Sequence, residues 1–286
     1  MNILITGSSG FCGSFLKDYF LKNGTHNIYT LSRSQENGNH VVFDLKNPIP
    51  NSLFPEKIDC IIHCASIVDE KSSNYSIFED NLKIAYNIQN FVQEKSPSCM
   101  INLSSISIYG TPNSENIDEL FTNKPKSTYG ISKLLIEHLF NAMIPDSTNL
   151  VNLRLGYVIG LNIPQHSVLS RFHHMLKNNE EISLINPDTT KFSFIDLFDI
   201  AKTCELIINK KLNGTFNLVG DKSYTLRKFF NMIKSFSPNY NQNIQESENS
   251  NIKFSTTFSN KKIKQFGISF KTCEDSFKEI FSSGKI

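Results

Sequence analysis

The apolar run NILIT at positions 2–6 meets three glycines spaced three apart, Gly7, Gly10 and Gly13. Phe11, Phe15, Leu16, Tyr19 and Phe20 then recur at helical spacing, and Gly24 follows as a stop signal. The pattern predicts a buried strand that turns through glycine straight into a helix. Such a turn collects backbone N–H groups at the positive end of a helix dipole, where a pyrophosphate can be held without a cationic side chain. Glycine is required because a Cβ would block the tight turn, the approach of the phosphates and the helix–strand contact. The opening stretch therefore predicts a dinucleotide site built on a parallel sheet.

The rest of the chain continues the alternation. Strands are predicted at 27–31, 40–43, 58–63, 100–103 and 150–154, with helices at about 78–94 and at 128–143. Strands apolar on both faces between amphipathic helices predict an α/β fold, a Rossmann-type doubly wound parallel sheet with a smaller C-terminal substrate-binding lobe. The dinucleotide-binding domain is expected at 1–160 plus about 192–220, and the lobe at about 161–191 plus 221–286. Within the lobe, helices are predicted at 167–178 and 226–235 and short strands at 192–195 and 215–219. A final amphipathic helix is expected at 273–281, and the Asn-, Ser- and Gln-rich stretch 237–251 reads as a loop or lid.

A net charge of +2 gives no reason to invoke nucleic acid or an anionic membrane. No apolar run approaches the ~20 residues of a membrane span, and the first strand begins at the second residue, so a cytoplasmic protein is expected. The six cysteines are scattered. Cys60 and Cys64 would stand ~13 Å apart along a strand, too far for a disulfide or a shared metal. They read as reduced thiols, and His166, His173 and His174 make a poor metal site, so no metal is expected.

Tyr129 and Lys133, in YGISK, are four apart and share one helical face. A phenol titrating near ~10 is a poor proton carrier at neutral pH, but an adjacent ammonium favours the phenolate. The pair can exchange a proton with a carbonyl or hydroxyl while a hydride moves to or from a nicotinamide. Ser105, in LSSISIYG, falls just past a predicted strand, where its hydroxyl could bond the same oxygen. At the end of the second strand, Ser32-Arg33-Ser34 lacks the acid that bonds an NAD ribose, and Arg33 suits a 2′-phosphate. NADP is the expected cofactor on that ground, with NAD as the alternative and a surface arginine as the bland reading of Arg33.

These motifs together resemble the extended short-chain dehydrogenase/reductases, the NAD-dependent epimerase/dehydratase group acting mostly on nucleotide-linked sugars. TGSSGFCG is similar to that family's cofactor turn, which implies contacts from Gly7, Ser9, Gly10, Phe11, Cys12 and Gly13. Asp44 and Leu45 resemble the pair that meets the adenine. Cys64, Ala65 and Ser66 follow His63 as in the turn lining the pyrophosphate and nicotinamide ribose, and Asn81 falls where the family keeps an Asn beside the site. The resemblance implies Ser105, Tyr129 and Lys133 as catalytic residues, with Lys133 also bonding the nicotinamide ribose. FSFIDLFDIA at 192–201 and FNLVG at 216–220 are similar to later family segments, and SNKKIKQFGISF precedes the last helix as in the family.

Departures fall in the lobe. Tyr157 and Leu161 replace the Asn and Pro that follow Arg154 in the family, and Phe192 replaces an Arg that clamps a diphosphate. Arg171 or Lys191 could serve instead, or be solvated surface charges. The reading is a 4-ketoreductase delivering hydride to a 4-keto-6-deoxy nucleotide sugar, working as a homodimer through the helices at 78–94 and 128–143. Two alternatives stand beside it: a nucleotide-sugar 4-epimerase with tightly bound NAD, and a non-catalytic dinucleotide-sensing regulator.

Overall fold

The structure is a computed structural model that describes residues 1–24, 26–34, 37–68, 75–237, 239–241, 244–249 and 255–284. The chain runs β1 (Asn2–Thr6), α1 (Phe11–Asn23), β2 (Asn27–Ser32), β3 (His40–Val42), β4 (Cys60–His63), α2 (Tyr75–Lys95), β5 (Cys99–Ser105), α3 (Thr128–Met143) and β6 (Asn149–Leu155). It continues β7 (Tyr157–Ile159), α4 (Val168–Lys177), β8 (Ile182–Ile185), β9 (Lys191–Asp196), α5 (Leu197–Lys210) and β10 (Gly214–Leu218). The last elements are β11 (Ser223–Thr225), α6 (Leu226–Lys234), β12 (Ile244–Ser247), α7 (Lys261–Lys264) and α8 (Cys273–Ser283).

Two compact units divide the chain. The first comprises 1–110, 122–155 and 200–216; the second comprises 111–121, 156–199 and 217–286. Of the stretches expected in the dinucleotide-binding domain, 1–160 plus about 192–220, residues 111–121, 156–160, 192–199 and 217–220 fall in the second unit.

The first unit carries a seven-stranded sheet in the order β10-β6-β5-β4-β1-β2-β3. β1 runs parallel to both β2 and β4, and β5 runs parallel to β4 and β6. The chain steps outward from β1 through β2 to β3, then returns to lay β4 on the other side of β1. That reversal is a topological switch point, the place where open α/β sheets bind ligands past the carboxyl ends of their strands. Every residue of β4 and β5 is buried, as a sheet covered on both faces demands. On one face, Leu4, Ile61 and Met100 meet Ile84, Ile88 and Phe91 of α2 and Ile136 and Phe140 of α3.

The second unit holds a three-stranded sheet, β11-β9-β7, and a parallel pair, β12-β8. Its core is aromatic: Phe194 lies 4.9 Å from Phe229 and 5.8 Å from Phe277, ring centre to ring centre. One expectation needs correction here. Part of the predicted loop 237–251 is the strand β12, whose Ile244 pairs with Ile182; residues 238, 242, 243, 250 and 251 of that stretch lie outside the described residues. The strand expected at 192–195 is present as β9, and it runs directly into helix α5, which the sequence pattern does not mark, with the Asp196 side chain accepting from the Phe198 N–H at 2.8 Å. An acid at the start of a helix supplies the cap that lets the helix begin without a loop.

Phe140 is fully buried between His63 and the α2 helix and cannot be replaced by neighbouring atoms. Phe140→Ala should destabilise the protein by ~3–5 kcal/mol in denaturant unfolding; a change below ~1 kcal/mol would show that α3 does not pack as described.

Candidate active site

Past β1, the turn closes through a hydrogen bond from the Gly10 N–H to the Gly7 carbonyl at 2.9 Å. A Cβ on Gly13 would lie 2.2 Å from that carbonyl oxygen, so only glycine lets α1 start this close to the strand. Helix α1 begins with no side-chain cap and no acid in its first turn. Its free N–H groups and dipole are open to an anion, so these residues fit a dinucleotide pyrophosphate. Ser9 is exposed on this turn, and Phe11 and Cys12 are half-buried at the head of α1.

The neighbouring turn follows β4. His63 is buried, with its Nδ1 2.8 Å from Thr6 Oγ1. Burial, and then the charge of Lys133, depress its pKa to about 3, so the ring is neutral. Cys64, Ala65 and Ser66 are half-buried beyond it. Asn81 of α2 staples this turn, accepting from the Ile67 N–H at 2.8 Å and donating to the Ile67 carbonyl at 3.0 Å. Its side chain is thus spent on the loop that carries Ala65 and Ser66. Leu45 is buried in the hydrophobic core, while Asp44 is half-buried and accepts from the Lys46 N–H. At the end of β2, Ser32 Oγ donates to the Ser34 carbonyl at 2.9 Å, and Arg33 is exposed with no ion pair among the described residues.

Ser105 ends β5, and its Oγ accepts from the Ser107 N–H at 3.1 Å while donating to Ser107 Oγ at 3.0 Å. A Cβ on Gly130 would stand 2.6 Å from the Ser107 carbonyl oxygen, so the first turn of α3 is pressed onto the backbone just after Ser105. That contact brings Tyr129 and Lys133 to the strand end. Both are buried, at 8 % and 4 % exposure. Lys133 Nζ donates to the Leu103 carbonyl at 2.8 Å and lies 5.7 Å from the centre of the Tyr129 ring. Burial pulls the Lys133 pKa down to about 8, against the opposing pull of Cys64, Cys12 and Glu137. A hydroxyl, a phenol and an ammonium thus gather on one strand end, beside the glycine turn of the same unit. Such a set can pass a proton to or from a substrate oxygen.

The sequence reading missed four residues beside this set: Ser104, Tyr109, Glu137 and Arg154, all buried and bonded to one another. The available signal was Glu137, an acid four residues past Lys133 on a face otherwise turned inward. In the second unit, Lys191 is tied to Glu115 at 2.6 Å, and the half-exposed Tyr157 ring packs 5.1 Å from Phe192. Arg171 is exposed. Among the described residues no group of three His, Cys, Asp or Glu is placed to hold a metal, and no helix is long and apolar enough to cross a membrane.

Parallel sheet, topological switch point and glycine turn define a dinucleotide-binding enzyme fold of the short-chain dehydrogenase/reductase type. Residues 3–219 match the model of the NAD dependent epimerase/dehydratase family, and the chain belongs to that family of enzymes. Among curated relatives, the chain is 24% identical over 264 residues to an uncharacterized UDP-glucose epimerase, YtcB, of Bacillus subtilis, covering 83% of this chain and 82% of that one. It is 25% identical over 251 residues to a GDP-6-deoxy-D-talose 4-dehydrogenase of Aggregatibacter actinomycetemcomitans, covering 82% and 79% of the two chains. The solved UDP-N-acetylglucosamine 4-epimerase of Bacillus cereus superposes with a TM-score of 0.82 over 99% of both chains at 24% identity, which shows a shared fold. A UDP-glucuronic acid 4-epimerase of the same species, solved with UDP-glucuronic acid and NAD, gives a TM-score of 0.85 over 99% of this chain and 98% of that one, at 19% identity.

Two outcomes follow from this geometry. Gly13→Ala should weaken dinucleotide binding by about tenfold or more in calorimetric titration, because the turn must open to admit the methyl group; unchanged affinity would contradict the cradle. In cofactor-free protein, Lys133→Met should be stabilising relative to the parent below pH 8 and lose that advantage by pH 10.5. Folding depresses the Lys133 pKa from 10.5 to about 8, so the penalty for a buried charge is complete below the lower value and gone above the higher. Melting temperatures at pH 7, 9 and 10.5 test it, and a difference independent of pH would refute it.

Proposed function

We propose that the protein is a nucleotide-sugar 4-epimerase that retains NAD through its catalytic cycle. The observation that carries the reading is the buried Lys133 ammonium beneath the Tyr129 ring, anchored to the strand that ends in Ser105. A bound nicotinamide supplies the hydride acceptor that then serves as donor. Tyr129 Oη removes the proton from the sugar C4 hydroxyl while Ser105 Oγ bonds the same oxygen, and Tyr129 Oη returns the proton after the sugar has turned over. Lys133 favours the phenolate in both directions, which a reversible reaction requires.

The curated relatives support chemistry at this carbon. A putative UDP-glucose 4-epimerase of Methanocaldococcus jannaschii is 25% identical over 253 residues. NAD replaces the NADP expected from Arg33. That arginine is exposed, and both the family description and a dTDP-6-deoxy-L-talose 4-dehydrogenase (NAD(+)) relative name NAD. The 4-ketoreductase remains the second reading, because the relatives named as 4-dehydrogenases act on 6-deoxy sugars. A homodimer fits the exposed Ile131, Leu135 and Met143 along α3 and Tyr86 on α2, an apolar surface suited to a second copy of itself.

Protein purified without added cofactor should release NAD on denaturation, and incubation with UDP-glucose or UDP-N-acetylglucosamine should yield the C4 epimer by proton NMR. Absence of both, with oxidation of NADPH on addition of a 4-keto-6-deoxy nucleotide sugar, would move the assignment to reductase. Tyr129→Phe should lower kcat by ~100-fold or more while leaving dinucleotide affinity within about threefold; normal turnover would remove Tyr129 from its role. Leu135→Asp should convert a dimer to monomers in analytical ultracentrifugation, and a parent that sediments as a monomer would exclude the dimer.

A further inference from the structure

Behind the candidate catalytic groups lies a carboxylate–guanidinium pair to which the proposed reaction gives no part. Glu137 and Arg154 are 2 % and 5 % exposed. Arg154 Nη2 donates to Glu137 Oε2 at 2.8 Å, and its Nε reaches both carboxylate oxygens at 3.2 Å. Ser104 Oγ donates to Glu137 Oε1. Arg154 Nη1 donates to Tyr109 Oη at 2.7 Å, and the guanidinium lies 5.0 Å from the centre of that fully buried ring.

Stability is a poor reason for such a pair, since apolar residues of the same volume fill a core as well or better. What the pair does is join four pieces of backbone. Glu137 sits on α3 one turn past Lys133 and two past Tyr129; Ser104 immediately precedes Ser105; Tyr109 closes the turn that follows it; and Arg154 belongs to β6. Lys133 already ties α3 to the Leu103 carbonyl, and Glu137 adds a tie at the next residue of the strand. A helix bonded at two successive strand residues can neither slide nor roll against them. Misplacement of a reacting group by about 1 Å can cost ~100-fold in rate, so this clamp bears directly on turnover.

We propose that Glu137 is a positioning residue: held by Arg154 and Ser104, it fixes the register between the helix face that carries Tyr129 and Lys133 and the strand end that carries Ser105. The inference rests on the catalytic reading given above. Glu137 also acts on Lys133 through its charge. The titratable groups that face the ammonium are Cys12 of α1, His63 at the end of β4, Cys64 of the turn after it, and Tyr129 and Glu137 of α3. Burial keeps both thiols protonated and the imidazole neutral, which leaves Glu137 as the formal anion among them.

The test compares Glu137→Gln, Glu137→Asp and the double variant Glu137→Leu with Arg154→Met against the parent, all as purified with bound NAD. In Glu137→Gln, kcat should fall by about tenfold or more with KM within about threefold and NAD content unchanged. Glu137→Asp should recover part of the loss. The double variant keeps the volume without charge, so it should fold and hold NAD yet remain as slow as Glu137→Gln. Lysine labelled with carbon-13 gives a second reading that needs no substrate. The Cε resonance of Lys133, assigned through Lys133→Arg, should titrate at lower pH in Glu137→Gln than in the parent, because an anion that favours the ammonium has gone. Parental kcat in the double variant overturns the proposal, as does an unmoved Lys133 midpoint. Loss of NAD or a collapse in melting temperature that accounts for the slower turnover overturns it too. An inactive parent would refute the epimerase reading and leave the lysine titration to decide this one.

Discussion

The hydrogen bond from the Lys133 ammonium to the Leu103 carbonyl is the constraint around which the first unit is arranged. An ammonium at 4 % exposure is penalised by lost hydration, and its pKa near 8 records the penalty. The fold offsets it with the Leu103 carbonyl, the Tyr129 ring face and the Glu137 carboxylate, and each partner dictates something about the backbone. The carbonyl must come from β5, so α3 lies across that strand. The ring must come from one helical turn earlier, so the first turn of α3 must approach the segment after Ser105, and Gly130 permits that approach. This one buried lysine therefore fixes which strand end, which helix face and which turn come together.

The glycine turn solves a separate problem, that of placing an anion near this ammonium without adding further cations. Because β1 and β4 are adjacent though the chain visits β2 and β3 between them, their two following turns lie side by side. A Cβ on Gly7 would stand 2.8 Å from the Ala65 backbone, which measures how closely the turns meet. Asn81 holds the second turn by two backbone hydrogen bonds, and Thr6 holds His63 at its root. With the imidazole neutral and no acid at the head of α1, the positive end of the helix dipole is unopposed.

Much of the first unit was legible in the sequence because its signals are local. Strand β1, the glycines and α1 are contiguous, and Tyr129 and Lys133 announce themselves by a four-residue spacing. Helix α3 was read at its true bounds, 128–143, because Ser127 caps it and its apolar face is continuous. The Glu137–Arg154–Tyr109 clamp was not legible, since its members lie on different elements and only the sheet brings β5 beside β6. An acid among inward-facing residues was visible, but its partner was not. Strands β7, β8 and β11 are three or four residues long and owe their form to pairing across the second unit, which no local alternation reveals. Strand β12 was hidden by polarity: three of its four residues are exposed, so composition favoured a loop, and pairing to β8 decided otherwise.

The division between what is shared and what diverges follows from the same physics. Proton exchange at a carbinol oxygen is served by a phenol, an ammonium and a hydroxyl in one arrangement, whatever the sugar is attached to. Relatives whose names specify UDP, GDP or dTDP sugars accordingly all align with this chain across about four fifths of its length. Recognition of the nucleotide end obeys no such constraint. Phe192 packs edge-on against the Tyr157 ring, while the neighbouring Lys191 is engaged by Glu115. An aromatic pair and a satisfied lysine offer a diphosphate little, whereas Arg171 is exposed and carries a planar charge suited to phosphate oxygens. These side chains all belong to the second unit, whereas Ser105, Tyr129 and Lys133 belong to the first, so the two sets can vary without sharing a packing partner in sequence.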